Sequence, residues 1–293
     1  MSSLAISTHT VMRVSGSFFM IYDCFLYYDE DMLLELRLNV LAPHIDKFVI
    51  VESTHTFTGK KKKLNFDISR FQKWADKIIY VVFDEVPHED AWENERRTRN
   101  HLMAGLAQAN DEDIIIISDV DEIISPAALQ HFNKRALCTV LHLNFYNYQF
   151  NLQVFNADGS PRKCTLAKMT TFRTLQRFFN GKPEDFRNVK RSPIHQRWFK
   201  WNYLKYRTRI IPDAGWHFSW LMHPERIAEK MSSISHTEYD VPQLNNLEHI
   251  QAVMSEGKDI WKRERILKAV PLCKEQFPLP LVENQEKYRD FIR

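Results

Sequence analysis

Glycine is scarce in this chain, with seven among 293 residues. A phosphate-binding loop of the Walker or dinucleotide type needs several closely spaced glycines, and neither pattern occurs. Cysteine is also scarce, because only Cys24, Cys138, Cys164 and Cys273 are present, with no CxxC pair and no metal-finger spacing. Thiols scattered in this way favour a reducing compartment.

The chain also lacks a large charge excess and a long apolar run. A formal net charge of +3 is too small to indicate a nucleic-acid partner. The most apolar early segment, residues 14–28, contains Asp23 and is too short to cross a bilayer. It has neither the basic start nor the cleavage site of a signal peptide. We expect no membrane anchor, a loose leader over residues 1–16 and, without repeats or linkers, one domain over residues 17–293.

The most informative stretch is residues 113–124, DIIIISDVDEII. An apolar, β-branched run bounded by charge predicts a strand buried on both faces, as in a parallel sheet covered by helices. Asp119 and Asp121 then lie at the carboxyl end of that strand, where open α/β sheets bind their ligands. Two such close carboxylates repel each other unless they share a cation or a proton. The pattern indicates a divalent metal site facing a phosphate-bearing ligand, with a solvated acidic turn as the alternative.

Strand-like and helix-like segments alternate through the first half. Apolar runs at residues 47–52 and 77–83 predict further buried strands, and leucines at helical spacing after Asp31 predict a helix. A long helix is expected over residues 89–109, and a closing helix over residues 259–268. The alternation predicts an α/β fold with a mostly parallel, Rossmann-like sheet flanked by helices.

Two later stretches have a distinctive amino-acid composition but no clear helix or strand periodicity. Residues 144–155 are rich in aromatic and amide side chains, which can stack on sugar rings or form an ordinary amphipathic strand. Residues 168–201 are basic and aromatic with few acids, and their structure is not predicted.

Several sequence blocks occur together in one order: IYDCF, ELRLNVL, DKFVIVEST, AWE, IIISDVDEI, AGWHFS and PERIAEK. In this order and spacing, from residue 19 to residue 265, the chain resembles glycosyltransferase family 17. The resemblance implies a GT-A-like fold, a UDP-sugar donor, Mn²⁺ or Mg²⁺, and inversion at the anomeric carbon. UDP-GlcNAc is the first candidate for the donor. The resemblance implies a glycan acceptor as well. Unlike the animal members, this sequence shows no amino-terminal anchor or stem, and we therefore expect a cytoplasmic protein.

Within that resemblance, Asp121 is the expected metal ligand. Asp119 lies beside it as a second ligand or as a partner of the ribose. His217 is expected to complete the metal site, with a core histidine between Trp216 and Phe218 as the alternative.

Other roles follow from position along the chain. Inverting transfer needs a general base, for which Asp213 is the first candidate, with Glu122, Glu184 and Asp185 as rivals. Arginine can bind a diphosphate through two hydrogen bonds, lysine can bind phosphate, and tryptophan can stack against a sugar ring. The residues expected to bind the donor are Glu52, Lys60, Arg96, Arg99, Asn100, Asp119 and Trp216. Trp220 is a second tryptophan expected to stack against a sugar ring.

Two other functions remain open on the sequence. The acidic strand end also suits a metal-dependent phosphoryl-transfer enzyme or hydrolase. The aromatic surface of residues 144–155 also suits a glycan-binding protein without catalysis. The sequence carries no signal for an oligomeric state.

Overall fold

A computed structural model describes residues 19–293, so the predicted leader lies outside the described residues. The described chain is an α/β protein with two sheets. Its strands, in chain order, are β1 (Ile21–Leu26), β2 (Lys47–Ser53), β3 (Ile78–Phe83), β4 (Ile114–Ile117), β5 (Glu122–Ile124), β6 (Cys138–Leu141), β7 (Leu143–Asn147), β8 (Leu152–Asn156), β9 (Lys163–Cys164), β10 (Lys168–Thr171), β11 (Thr208–Ile211), β12 (Gly215–Ser219) and β13 (Arg265–Ala269).

Helices connect these strands and cover the first sheet. The α-helices are α1 (Asp31–Leu41), α2 (Ala91–Asn100), α3 (Leu102–Gly105), α4 (Pro126–Leu129), α5 (Phe172–Arg177), α6 (Pro183–Arg187), α7 (Trp198–Tyr206), α8 (Pro224–Met231), α9 (Leu247–Glu256) and α10 (Leu279–Glu283). Shorter 3₁₀ segments are Ile68–Lys77, Val189–Arg191, Pro193–Gln196, Thr237–Tyr239 and Gln285–Phe291. Among the described residues, no helix combines the length and the apolar character that a membrane crossing requires.

The first sheet has the order β11-β6-β10-β4-β1-β2-β3. The strands β4, β1, β2 and β3 are parallel to one another, β11 is parallel to β6, and β10 runs antiparallel between β6 and β4. The prediction of an α/β fold with a mostly parallel sheet is therefore confirmed. Ile114 and Ile116 pack in one hydrophobic core and Ile115 and Ile117 in another, which confirms a strand buried on both faces.

The second sheet has the order β13-β8-β7-β12-β5, with β9 on β7, and was not predicted. Its pairs are antiparallel except for β7 and β12. The turn between β4 and β5 passes from the first sheet to the second. The acidic residues after the isoleucine run therefore lie where the two sheets meet.

Three element predictions need correction. Residues 113–124 contain two strands where one was predicted, because the chain turns between Asp119 and Glu122 and continues as β5. The expected helix over residues 89–109 is broken at His101 into α2 and α3. The expected closing helix over residues 259–268 is wrong, since residues from Arg265 onward pair with β8 as β13.

A buried arginine anchors the turn between the sheets from below. Arg37 on α1 is fully buried and makes a bidentate ion pair with Asp23 on β1, at 2.8 Å from Nε and 2.5 Å from Nη2. Its Nη1 donates to the carbonyls of Asp119 at 2.8 Å and Glu122 at 2.9 Å, and Nη2 donates to Ser118 Oγ at 2.6 Å. One guanidinium thus joins a strand, a helix and the acidic turn.

We predict that Arg37→Met lowers the free energy of unfolding by about 3–5 kcal/mol, because it leaves Asp23 buried and unpaired. Urea denaturation measures the change. Arg70→Met is the matched control, since Arg70 pairs with Asp31 at the surface and is 56% exposed; it should cost less than about 1 kcal/mol. Equal costs for the two variants would contradict the anchoring role.

Candidate active site

The acidic turn directs two carboxylates away from the core. The turn is closed by Glu122 N–H donating to the Asp119 carbonyl at 3.0 Å, and by Asp119 N–H donating to Glu122 Oε2 at 2.9 Å. Val120 between them is buried. Asp119 and Asp121 both line the large cavity above the turn.

Two buried arginines hold Asp119. Arg99 Nη2 lies 3.1 Å from Asp119 Oδ1, and Arg187 Nη2 lies 2.5 Å from Oδ2. Burial alone would raise the pKa of Asp119, but Arg187, Arg99 and His217 outweigh it and lower that pKa to about 2. Asp119 is therefore ionised and fixed in direction.

Asp121 and His217 form the second part of the site. Strand β12 lies between β5 and β7, so that His217 is opposite Glu122 on one side and Phe145 on the other. His217 Nε2 is 3.5 Å from Asp121 Oδ1, and the rings of Phe145 and His217 are 4.5 Å apart in an edge-to-face arrangement. Burial opposes ionisation of Asp121, yet the neighbouring His217 lowers its pKa. A carboxylate and an imidazole at this separation fit as two ligands of one divalent metal ion.

The surroundings of His217 distinguish two possible metal positions. The ligand atoms of Glu122, Cys164 and His217 also lie within 4.8 Å of one another. Burial and the nearby Glu122 raise the pKa of the Cys164 thiol, which donates to Glu122 Oε1 at 3.2 Å. Arg187 binds the same oxygen at 3.0 Å. Because Glu122 Oε1 is already engaged by the Cys164 thiol and by Arg187, the Asp121 side of His217 is the better place for a cation.

The cavity above the turn has a volume of about 1010 Å³, at the upper end of the range of small-molecule sites. Among the described residues, four carboxylates line it: Glu30, Glu95, Asp119 and Asp121. The lining cations are Lys62, Arg99, Lys168, Arg187, Lys190, Arg191, Lys205, Lys230, Arg263 and Arg265. This excess of positive charge favours a ligand that carries several negative charges.

The structure brings five of the predicted residues together in the lining of this cavity. They are Arg99, Asp119, Asp121, His217 and Trp220. Arg99 comes from α2, Asp119 and Asp121 from the acidic turn, His217 from the middle of β12, and Trp220 from the residue after β12.

Three residues expected at the donor lie outside the cavity lining and are engaged elsewhere. Arg96 pairs with Glu93 on the outer side of α2. Trp216 donates its indole N–H to the Gln276 carbonyl at 2.7 Å. Lys60 is exposed in the loop after β2, and the neighbouring Lys62 lines the cavity in its place.

Two further donor candidates also have structural partners. Glu52 is fully buried and accepts hydrogen bonds from Lys62, from Tyr80 and from the backbone N–H groups of residues 65 and 66. Asn100 Oδ1 accepts from the Glu184 N–H at 3.1 Å. Glu52 thus holds the loop after β2, and Asn100 holds the amino end of α6, rather than lining the cavity.

The candidates for the general base are not in the cavity lining either. Asp213 has 70% of its side chain exposed and pairs with Lys163 at 2.5 Å. Glu122 is buried under the turn, and Glu184 pairs with the buried Arg99. Asp185 lies on α6 outside the lining residues. These assignments stay predictions, without support from the geometry.

Sequence reasoning missed two cations at the site. Arg187 binds both Asp119 and Glu122, but it lies in the basic stretch whose structure could not be predicted. Lys230 lines the cavity and lies 3.3 Å from Glu30. The sequence did offer a reason to consider Lys230, because it is the last residue of the PERIAEK block that follows AGWHFS.

Gly215 allows β12 to approach β5 closely. Its φ is +143°, and a Cβ there would lie 2.2 Å from the Ile123 carbonyl oxygen and 2.8 Å from the Ser125 nitrogen. Only glycine fits this backbone contact, which sets the position of Trp216 and His217 beside the acidic turn.

We predict that Gly215→Ala lowers the free energy of unfolding by about 3–5 kcal/mol, because strain and a backbone clash add. Gly159→Ala is the matched control, since Gly159 has φ +81° and open space around it; it should cost about 1–2 kcal/mol from backbone strain alone. Both are measured by chemical denaturation, and similar losses at the two positions would refute the close approach.

The fold and the site define an α/β protein that presents a strand-end pair of aspartates to a cationic cavity. The family model described as glycosyltransferase family 17 matches residues 7–180, more than half of the chain. The chain therefore belongs to glycosyltransferase family 17, which confirms the resemblance seen in the sequence.

Curated relatives extend this similarity. Proteins named beta-1,4-mannosyl-glycoprotein 4-beta-N-acetylglucosaminyltransferase match from Rattus norvegicus and Homo sapiens. Each is 24% identical over an alignment of 253 positions, and the match covers 77% of this chain but 45% of the rat protein and 46% of the human protein. The chain thus spans about half the length of these relatives.

Among solved structures, a crystal structure of 4-diphosphocytidyl-2C-methyl-D-erythritol synthase matches with a TM-score of 0.41 and 13% identity. The match covers 72% of this chain and 97% of that one. A similarity this low supports no conclusion about this chain.

Proposed function

We propose that this protein is a metal-dependent glycosyltransferase that moves GlcNAc from UDP-GlcNAc to a hydroxyl group of a glycan, with inversion at the anomeric carbon. The observation that carries the proposal is the pairing of Asp121 with His217 at 3.5 Å, in a cavity lined by an excess of cations. The family and the names of the relatives support the reaction and the transferred sugar.

The site suits a leaving nucleoside diphosphate. Asp121 and His217 would hold Mn²⁺ or Mg²⁺, which when bound neutralises charge on the diphosphate as it leaves. Lys230 lies on the same side, since it is near both Glu30 and Asp121, and it adds a fixed positive charge. Asp119 contributes through its two arginines, which keep it oriented toward the same space.

The two sheets supply two sides for two substrates. The carboxyl ends of β1 and β2, with Tyr28 and Ser53, line the cavity on one side, where an α/β sheet receives a nucleotide. Phe145 and Asn147 on β7 line it on the other side, together with Trp220. Aromatic and amide groups of this kind suit the faces and hydroxyls of an acceptor sugar.

We also propose that the protein works in a reducing, cytoplasmic compartment. All four cysteines are free thiols, and Cys24, Cys138 and Cys164 are buried. Compartments that oxidise thiols select for paired cysteines in proteins exposed to them.

We predict that Asp121→Ala lowers sugar transfer from UDP-GlcNAc by at least about a hundredfold, because a metal contributes several kcal/mol of charge stabilisation. UDP release is measured with Mn²⁺ and a panel of β-mannoside acceptors, and excess chelator should abolish it in the wild type. Asp290→Ala is the control, since Asp290 is 71% exposed at the surface.

A second measurement separates loss of metal from loss of fold. Mn²⁺ should raise the melting temperature of the wild type in the presence of UDP, and it should not do so for Asp121→Ala. Transfer that persists in chelator would refute the metal-dependent reaction. Phosphate release without a sugar acceptor would favour a phosphoryl-transfer enzyme, and sugar binding that needs neither UDP nor metal would favour a glycan-binding protein.

A further inference from the structure

Helix α7 presents an exposed aromatic surface. We call the exposed side chains of residues 197–210 the α7 face. Five large apolar residues are exposed on it: Trp198 (68%), Phe199 (82%), Tyr203 (49%), Tyr206 (84%) and Ile210 (59%). An exposed apolar cluster of this size on one short segment marks an interaction site rather than scattered surface residues.

The helix is apolar on both of its sides. Leu204 is 1% exposed and packs in the core that also contains Trp201. Phe199, Tyr203 and Tyr206 follow at i, i+4 and i+7, and so form a single stripe on the opposite side. A helix with apolar side chains on two opposite sides is expected to pack against other groups on both. Among residues 19–293, nothing covers the outer stripe of α7.

The same segment carries a concentrated positive charge. Residues 189–210 contain no Asp or Glu and seven cations, which are Lys190, Arg191, Arg197, Lys200, Lys205, Arg207 and Arg209. Because the whole chain has a net charge of +3, the remaining residues sum to −4. Within the described part of the chain, no Lys or Arg between Arg187 and His217 takes part in an ion pair, so none of the seven cations is paired with a carboxylate.

We propose that the α7 face binds the surface of an anionic lipid bilayer. Tryptophan and tyrosine favour the boundary between headgroups and acyl chains, and lysine and arginine favour anionic headgroups. A soluble polyanion would satisfy the cations but would leave Phe199 and Tyr206 in water. A second copy of the chain would cover the aromatics but would bring two segments of +7 together.

Binding of the α7 face to a bilayer would also determine where the cavity lies relative to the membrane. Trp201, Leu204, Lys205 and Ile210 line the cavity, so the α7 face, which includes Ile210, is continuous with the cavity rim. Docking therefore brings the cavity rim to the bilayer surface, where an acceptor glycan attached to a membrane lipid can enter. That last step rests on the proposed function, whereas the docking itself does not.

Vesicle binding tests the docking with the full chain and without donor or acceptor. We expect co-flotation with vesicles of phosphatidylcholine and phosphatidylglycerol, but not with phosphatidylcholine alone, and release by added salt. The fluorescence of exposed Trp198 should shift to shorter wavelength on binding, because its ring leaves water.

Two double variants separate the two contributions, using residues outside the cavity lining. Arg197→Gln with Arg209→Gln should weaken vesicle binding by about 25-fold, since each cation near an anionic surface is worth about fivefold. Phe199→Ser with Tyr206→Ser should weaken it by at least about tenfold, because two aromatic rings no longer enter the interface.

The matched controls change the same properties elsewhere on the surface. Lys268→Gln with Lys274→Gln removes two exposed cations, and Val86→Ser removes an apolar side chain that is 84% exposed. Both controls should bind vesicles as the wild type does. All variants should keep the wild-type melting temperature and UDP binding, which separates failure of the docking from failure of the proposed function.

Several results would overturn the docking. One is the absence of vesicle binding by the wild type, and another is equal binding by the wild type and both double variants. Binding to heparin without any Trp198 shift on vesicles would identify a polyanion site instead. Concentration-dependent self-association that the aromatic variant abolishes, again without vesicle binding, would identify an interface between two copies.

Discussion

The guanidinium of Arg37 is the interaction on which the site depends. It is fully buried, neutralised by Asp23, and bonded to the carbonyls of the acidic turn. Because those carbonyls point down toward Arg37, the side chains of Asp119 and Asp121 are free to point up into the cavity. A buried cation must have all its donors satisfied, so the turn, α1 and β1 hold one another in a single arrangement.

The sequence was informative where the signal is local. Four consecutive isoleucines followed by acids specify a buried strand with a polar end, and the structure has that strand and that end. The acids before the leucine repeat mark the beginning of α1 at Asp31. Asp121 and His217, which are far apart in the chain, could be paired only because the resemblance placed both blocks in one site.

The sequence was less informative where distant residues decide the outcome. Arg187 could have been a surface cation, and only its position above the turn makes it the partner of Asp119 and Glu122. Asp213 follows β11, but its side chain faces solvent beside Lys163. Arg265 and its neighbours became a strand because β8 offered an edge to pair with, which no helical or strand periodicity in that segment reveals.

The uneven distribution of charge along the chain has a consequence beyond any single contact. A segment of +7, in a chain whose other residues sum to −4, gives the molecule an uneven distribution of charge although its net charge is small. In the field of a negatively charged surface such a molecule experiences a torque at distances comparable to the screening length. It therefore turns before it arrives, and random tumbling is replaced by a preferred direction of approach.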